Sequence, residues 1–299
     1  MNILGSYSEA REVRITTEEG QARKSTLRGC PQGSVLGPLL WNIYIDGLLE
    51  LLHQEEKVYD QAAYADDVII LIQGPSRARL EEKGNDVMAT VADWTRQMGL
   101  EIAPHKSQVI KFGAPLKRLP VIRCDGNTIP AVHETPYLGV QLDDKLSYDK
   151  HIKGSLARAE SAMQKVLTIS KRYQIPPQAA WRYCTCIFLT IASYGCTAFA
   201  KAYERVAMKN AAGVYQRRVL RRMTRAYSTT PVDSLQVVCN IPPLDLEIRA
   251  RAMKMERSYG TTVLGKEDYT EADIDQWKIM ESATEMGQLQ QGTKPSRNH

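Results

Sequence analysis

Long apolar runs are missing from this chain. No stretch approaches the roughly 18 consecutive apolar residues of a membrane span. The start also lacks the basic-then-apolar layout of a secretory leader. Cysteines at paired or regular spacing are missing too. The six (Cys30, Cys124, Cys184, Cys186, Cys196 and Cys239) are scattered. That argues against a disulfide framework and for reduced thiols in an intracellular compartment. A zinc site is equally poorly supplied. Cys184-Thr185-Cys186 falls in a helical stretch, where residues two apart point to different faces, and no His stands at ligand spacing. Buried thiols are the expectation there. No internal repeat is visible.

What the 299 residues do hold is enough chain for one large or two ordinary domains, with a lopsided charge. The net charge is +5. Residues 150–227 carry 15 Lys and Arg against 2 Asp and Glu, whereas residues 1–149 are net −5 and residues 228–299 net −3. A basic block of this kind points to a polyanion, nucleic acid first. Its plain alternative is a solvated helical surface.

Tyr64-Ala65-Asp66-Asp67 is the most informative stretch. It places two adjacent carboxylates between Ala62-Ala63 and Val68-Ile69-Ile70-Leu71-Ile72. Charge among strand-forming residues is costly unless something compensates it. A bare Asp-Asp pair is most often a polar turn. Two like charges forced into one place are also what a hard divalent cation such as Mg²⁺ selects, because oxygen ligands suit it.

Turn signals and periodicity divide the chain. A hairpin is expected over residues 12–28, turning at Glu19-Gly20. Gly29-Cys30-Pro31-Gln32-Gly33-Ser34 reads as a rigid loop, with Ser34 capping a helix from Val35 to about Leu52 and Pro38 in its first turn. An amphipathic helix is expected over 76–98, with Leu80, Val87, Val91 and Trp94 inward and Gly99 ending it. Strands follow near 108–112 and 119–124, then a turn at Asp125-Gly126, then a strand from Tyr137 to Leu142. From there the pattern is helical: 147–172, 178–200, 204–225, 231–239 and 244–260, with Pro176-Pro177 and Pro242-Pro243 as breaks. Residues 261–299 form a polar tail, expected to be partly disordered.

Here a resemblance becomes definite. Gly29-Cys30-Pro31-Gln32-Gly33-Ser34-Val35-Leu36-Gly37-Pro38-Leu39-Leu40 resembles a reverse transcriptase signature. Tyr64-Ala65-Asp66-Asp67 is similar to the family's Y-A-D-D box and follows at the expected interval. Gly99-Leu100-Glu101-Ile102 leading to His105-Lys106-Ser107, and then Tyr137-Leu138-Gly139-Val140, resemble the next two blocks. The wording is nearest to non-LTR (LINE-type) retrotransposons of arthropods, in the R1 and Jockey groups. Gln216-Arg217-Arg218-Val219-Leu220-Arg221-Arg222 and Ile241-Pro242-Pro243-Leu244-Asp245-Leu246 resemble segments downstream of the polymerase in such elements.

The resemblance implies an α+β fold: a partial right-hand polymerase palm over 1–146, with an antiparallel sheet packed on helices, then an all-α thumb-like region over 147–260. It implies RNA-directed DNA polymerisation, in which a dNTP is joined to a primer 3′-OH with the help of two Mg²⁺ ions. Asp66 would be a direct metal ligand and Asp67 would assist. Lys106 would be the proton donor to the leaving pyrophosphate, or else an exposed surface lysine. Pro31, Gln32, Gly33, Tyr64 and Ala65 would line the nucleotide and template side. Tyr137, Leu138 and Gly139 would grip the primer. Arg217, Arg218, Arg221, Arg222 and Arg225, at spacings of three and four, would hold nucleic-acid phosphates. They could instead pair with acids of the net −5 region, residues 1–149. The expected partners are an RNA template, a DNA primer and dNTPs, with no membrane. The expected location is intracellular, and nuclear at the point of action.

The family pattern also includes a third carboxylate in a block several tens of residues before the Gln32 loop. Only 28 residues precede Gly29 and none is Asp, so Met1 is expected to begin a truncated copy with two of three carboxylates. A second reading stays open: a catalytically inactive nucleic-acid-binding remnant of such an element.

Overall fold

The computed structural model describes residues 12–18, 20–25, 33–174 and 176–259. The polar tail 261–299 and the loop residues Gly29 to Gln32 lie outside these. The chain divides into two compact units, Met1–Val132 and His133–His299.

In the first unit, strands β1 (Glu12–Thr17) and β2 (Gly20–Ser25) pair antiparallel as a hairpin whose residues are all exposed. Helix α1 (Gly37–Gln54) begins two residues later than expected, with Leu36 and not Ser34 at its N-cap. The Ser34 hydroxyl accepts the Gly37 N–H at 3.0 Å, and Pro38 sits in the first turn, where its missing N–H costs nothing. Strands β3 (Asp60–Tyr64) and β4 (Asp67–Leu71) form the next antiparallel hairpin. Helix α2 (Arg77–Gln97) is capped by the Ser76 hydroxyl, which accepts from the Arg79 N–H. It ends at Gly99 with φ +68°, a conformation glycine adopts without a Cβ penalty.

Apolar residues of α1 at positions 45, 48 and 52 meet Val87, Val91 and Trp94 of α2, and Val68 and Ile70 of β4 pack on the same cluster. Leu52 and Val87 are fully buried, worth about 1.5–3 kcal/mol each.

Strands β5 (Val109–Ile110), β6 (Ile122–Cys124), β7 (Asn127–Ile129) and β8 (Ala131–Val132) complete this unit. One flank of β6 is paired by helix side chains instead of a strand. Glu81 accepts the Val121 N–H and Asn85 accepts the Arg123 N–H, both at 2.8 Å. Gly84 lets β6 close in, since a Cβ there would stand 2.4 Å from Ile122 Cδ1. A helix thus covers an edge that would otherwise invite strand addition.

In the second unit, β9 (Glu134–Tyr137) and β10 (Val140–Asp143) form a hairpin. The single strand expected from Tyr137 to Leu142 is therefore corrected to two strands. Leu138 and Gly139, at φ +45° and +81°, reverse the chain between them. Helix α3 (Asp149–Arg172) follows, with Asp143 serving its start. Burial pushes the Asp143 pKa up. Hydrogen bonds from the backbone of Ser147, Tyr148 and Lys145 and from the Ser147 hydroxyl outweigh this and hold it below the ordinary carboxylate value.

The single helix expected over 178–200 is also corrected. It is a broken series: α4 (Pro177–Tyr183), a π-helical segment (Cys184–Leu189), α5 (Thr190–Ala192), α6 (Cys196–Phe199) and a 3₁₀ turn (Ala200–Glu204). The break falls at Gly195, φ +72°. A Cβ there would lie 2.6 Å from Val140 Cγ2, so the helix opens where β10 packs into it. Helices α7 (Val206–Thr224), α8 (Val232–Cys239) and α9 (Leu244–Tyr259) lie within a few residues of expectation. The core here joins Ile152, Leu156 and Met163 of α3 to Phe199, Tyr203, Leu220, Leu244 and Ile248.

Strands and helices are mixed, as expected, but the described strands pair only two by two. Of the thiols, Cys124 and Cys196 are buried and Cys239 half-buried, whereas Cys186 is exposed; burial pushes the first three up.

Candidate functional site

Asp66 and Asp67 sit at the tip of the β3–β4 hairpin. Tyr64 and Asp67 face each other across the strands, leaving Ala65 and Asp66 as a two-residue loop. Such a loop demands positive φ, and Ala65 supplies it at +53°. For a residue with a Cβ that conformation costs about 1–2 kcal/mol. The compensation comes from α1, where the Trp41 indole N–H donates to the Ala65 carbonyl at 2.6 Å. A net gain of about 0.5–1.5 kcal/mol from such a bond is of the same size as the strain.

Both carboxylates are exposed, and no cationic side chain pairs with them among the described residues. No group of three or more His, Cys, Asp or Glu that could hold a metal occurs among the described residues. The pair is therefore a two-carboxylate, oxygen-only donor set. Such a set fits a divalent ion that keeps several waters and takes further oxygens from substrate phosphates.

The other expected residues divide between the units. Pro31 and Gln32 lie outside the described residues. Gly33 is exposed at φ +81°, with open space where a Cβ would be. Tyr64 is 66% exposed beside the acid pair. Lys106 is exposed in a turn closed by its own N–H on the Ala103 carbonyl, just before β5.

In the second unit, Tyr137, Leu138 and Gly139 form the β9–β10 turn. The Tyr194 hydroxyl donates to the Leu138 carbonyl at 2.9 Å. His151, at the start of α3, accepts the Gln141 N–H on Nδ1 at 3.2 Å.

The five arginines are not equivalent. Arg217 donates to the Thr230 carbonyl at 2.8 Å and the Ser228 carbonyl at 2.5 Å, so it ties down the loop after α7. Arg218 pairs with Glu160 of α3 at 3.3 Å and lies over the Tyr215 ring. Arg222 and Arg225 are exposed and Arg221 is half-buried; none of the three side chains has an ion-pair partner among the described residues.

Residues 3–142 match the family described as reverse transcriptase (RNA-dependent DNA polymerase). That match spans 140 of the 299 residues and makes this part of the chain similar to that family. The 115 kDa protein in type-1 retrotransposable element R1DM of Drosophila melanogaster is 28% identical over 261 residues, covering 87% of this chain and 25% of the relative. The retrovirus-related Pol polyprotein from type-1 retrotransposable element R1 of Nasonia vitripennis is 28% identical over 227 residues, covering 73% and 66%. The RNA-directed DNA polymerase from mobile element jockey of Drosophila funebris is 26% identical over 157 residues, covering 50% and 17%. The chain thus spans about a quarter of the length of its R1DM relative. No solved structure matches it.

Three residues carry weight that sequence reasoning did not assign. Trp41 and Tyr194 each hold a turn carbonyl. Gln216, 1% exposed, holds three groups at once: its amide donates to the Pro242 carbonyl, and its oxygen accepts from Gln236 and from the Leu244 N–H. This joins the Gln216–Arg222 segment to the Ile241–Leu246 segment and caps α9. The signal for Gln216 was legible: a polar residue on the same helix face as Ala212 and Val219, both buried. Trp41 gave no such signal, because it stands in register with Ile45, Leu48 and Leu52 and reads as core.

Proposed function

We propose that this chain carries the metal-holding and primer-holding parts of an RNA-directed DNA polymerase of a non-LTR retrotransposon. The observation that carries this reading is the Asp66–Asp67 turn: two adjacent, exposed carboxylates on a strained two-residue loop, without a protein counter-charge among the described residues. Adding a dNTP to a primer 3′-OH is an in-line phosphoryl transfer, helped mostly by positioning and charge neutralisation. Asp66 and Asp67 would hold Mg²⁺, which when bound offsets charge on the attacking and leaving oxygens. Tyr64, Ala65 and Gly33, with Pro31 and Gln32, line the nucleotide and template side, and Lys106 hands a proton to pyrophosphate.

Residues 1–146 correspond to a palm and residues 147–260 to a thumb. Tyr137, Leu138 and Gly139 hold the primer strand. Arg221, Arg222 and Arg225 contact phosphates of the RNA–DNA duplex, whereas Arg217 and Arg218 serve the fold. The chain works inside the cell, and in the nucleus at the point of action.

Primer extension on an RNA template with Mg²⁺ and dNTPs tests the chemistry. Asp66→Ala is expected to reduce synthesis to background, and synthesis unaffected by that change refutes the assignment. Replacing Arg221, Arg222 and Arg225 by Ala is expected to weaken duplex binding and flatten its salt dependence, by up to about 0.9 in slope per lost phosphate contact. Arg217→Ala is expected to lower the melting temperature while leaving that slope in place.

A further inference from the structure

We propose that Trp41 is a positioning residue that pre-sets the Asp66–Asp67 pair for a divalent cation. This rests on the metal-holding role just described. Two neighbouring carboxylates repel each other when no cation is present, so their turn tends to relax away from the paired arrangement. Ala65 is its weak point, being a non-glycine residue at φ +53°. The Trp41 indole N–H reaches the Ala65 carbonyl at 2.6 Å and holds that peptide in place.

The indole is itself fixed. Its ring lies 6.0 Å from Tyr44, and Tyr44 meets the edge of Trp94 at 6.0 Å. The Tyr44 hydroxyl donates to the Met98 carbonyl just past the end of α2. An aromatic ladder therefore runs from the floor of the unit to the turn, and its last atom is a single donor. A site whose supporting groups are locked loses less on binding than one that must be ordered by the ion.

Trp41 also packs on the core that contains Ile45, Leu48 and Val87, so a purely structural role must be separated from positioning. Trp41→Phe keeps a ring and removes the donor. Val87→Ala is the matched control, because Val87 is itself fully buried and its truncation opens a cavity in the same core. The probe is Mn²⁺, followed by paramagnetic broadening of the Asp66 and Asp67 amide signals in the full chain. The three-bond amide–Hα coupling of Ala65 is recorded beside it as a direct reading of its φ.

Trp41→Phe is expected to raise the Mn²⁺ midpoint about fivefold, as loss of one hydrogen bond would. The Ala65 coupling should move to its averaged, flexible value. Val87→Ala should lower the melting temperature more and leave both readings unchanged. An unchanged midpoint in Trp41→Phe, with Asp66→Ala abolishing the broadening, overturns the positioning role alone. Broadening that survives Asp66→Ala, or is absent from the unaltered chain, overturns the metal-holding role and the positioning role with it.

Discussion

Two hairpin turns, one in each unit, are built alike and secured differently. In the first, Ala65 takes φ +53° and its carbonyl receives the Trp41 N–H; in the second, Leu138 takes φ +45° and its carbonyl receives the Tyr194 hydroxyl. Both turns put a residue with a side chain where glycine is easiest, and both use an aromatic donor distant in the sequence. The difference lies around them. The Asp66 turn projects two exposed carboxylates and is tied by that one donor among the described residues. The Leu138 turn is held at three further points: by His151 on Gln141, by Val140 seated against Gly195, and by Tyr194 lying where a Cβ on Gly139 would be. On the proposed reading, a loop that accepts a cation keeps its acceptor oxygens free, and a loop that presents backbone to a primer strand can be fastened from behind.

The sharpest way to break this contrast is Gly195→Ala. It adds a methyl group at φ +72°, where the new atom would stand 2.6 Å from Val140 Cγ2. Left-handed strain and overpacking together are expected to cost about 2–3 kcal/mol. Denaturant unfolding should show that loss, and hydrogen exchange should place it in residues 134–143.

Tyr194→Phe is milder. It removes one partly exposed hydrogen bond, with an expected cost of about 1 kcal/mol. Faster amide exchange at Leu138 and Gly139 and an undisturbed Asp66 turn would confirm that each turn has its own fastening.

The smallest effect is a slope with pH. Burial, with the nearby Arg158 charge, lowers the His151 pKa, and a hydrogen bond with the Tyr194 backbone opposes this. The unfolded chain therefore takes up the proton first, near pH 6.5. His151 contributes its full stability above that value, and the contribution is lost as pH falls into the window below. Melting temperatures between pH 7.5 and 5.5 should fall for the unaltered chain and be flatter for His151→Gln. A protonated ring also loses the Nδ1 acceptor used by Gln141, so exchange at that amide should rise across the same window.

Much of the fold was legible. Pro38 and Gly99 mark helix ends through local chemistry, and each sits where its residue type requires. The helix over 178–200 misled because its residues have no internal breaker except Gly195, and that glycine is required by a strand more than fifty residues away. The arginines misled in the same way. Spacing shows that Arg217, Arg218, Arg221, Arg222 and Arg225 share a broad face, but not that Arg217 meets the carbonyls of Ser228 and Thr230 or that Arg218 meets Glu160.

The sequence alone determines the order of the elements, the basic character of residues 150–227 and the place of two adjacent carboxylates in a tight turn, since all of these follow from residues near one another in the chain. The tertiary structure alone decides which arginines are left for a partner and which donor secures each turn. Those depend on atoms brought together across 24 residues for Trp41 and Ala65 and 56 for Tyr194 and Leu138, a distance over which no local pattern carries information.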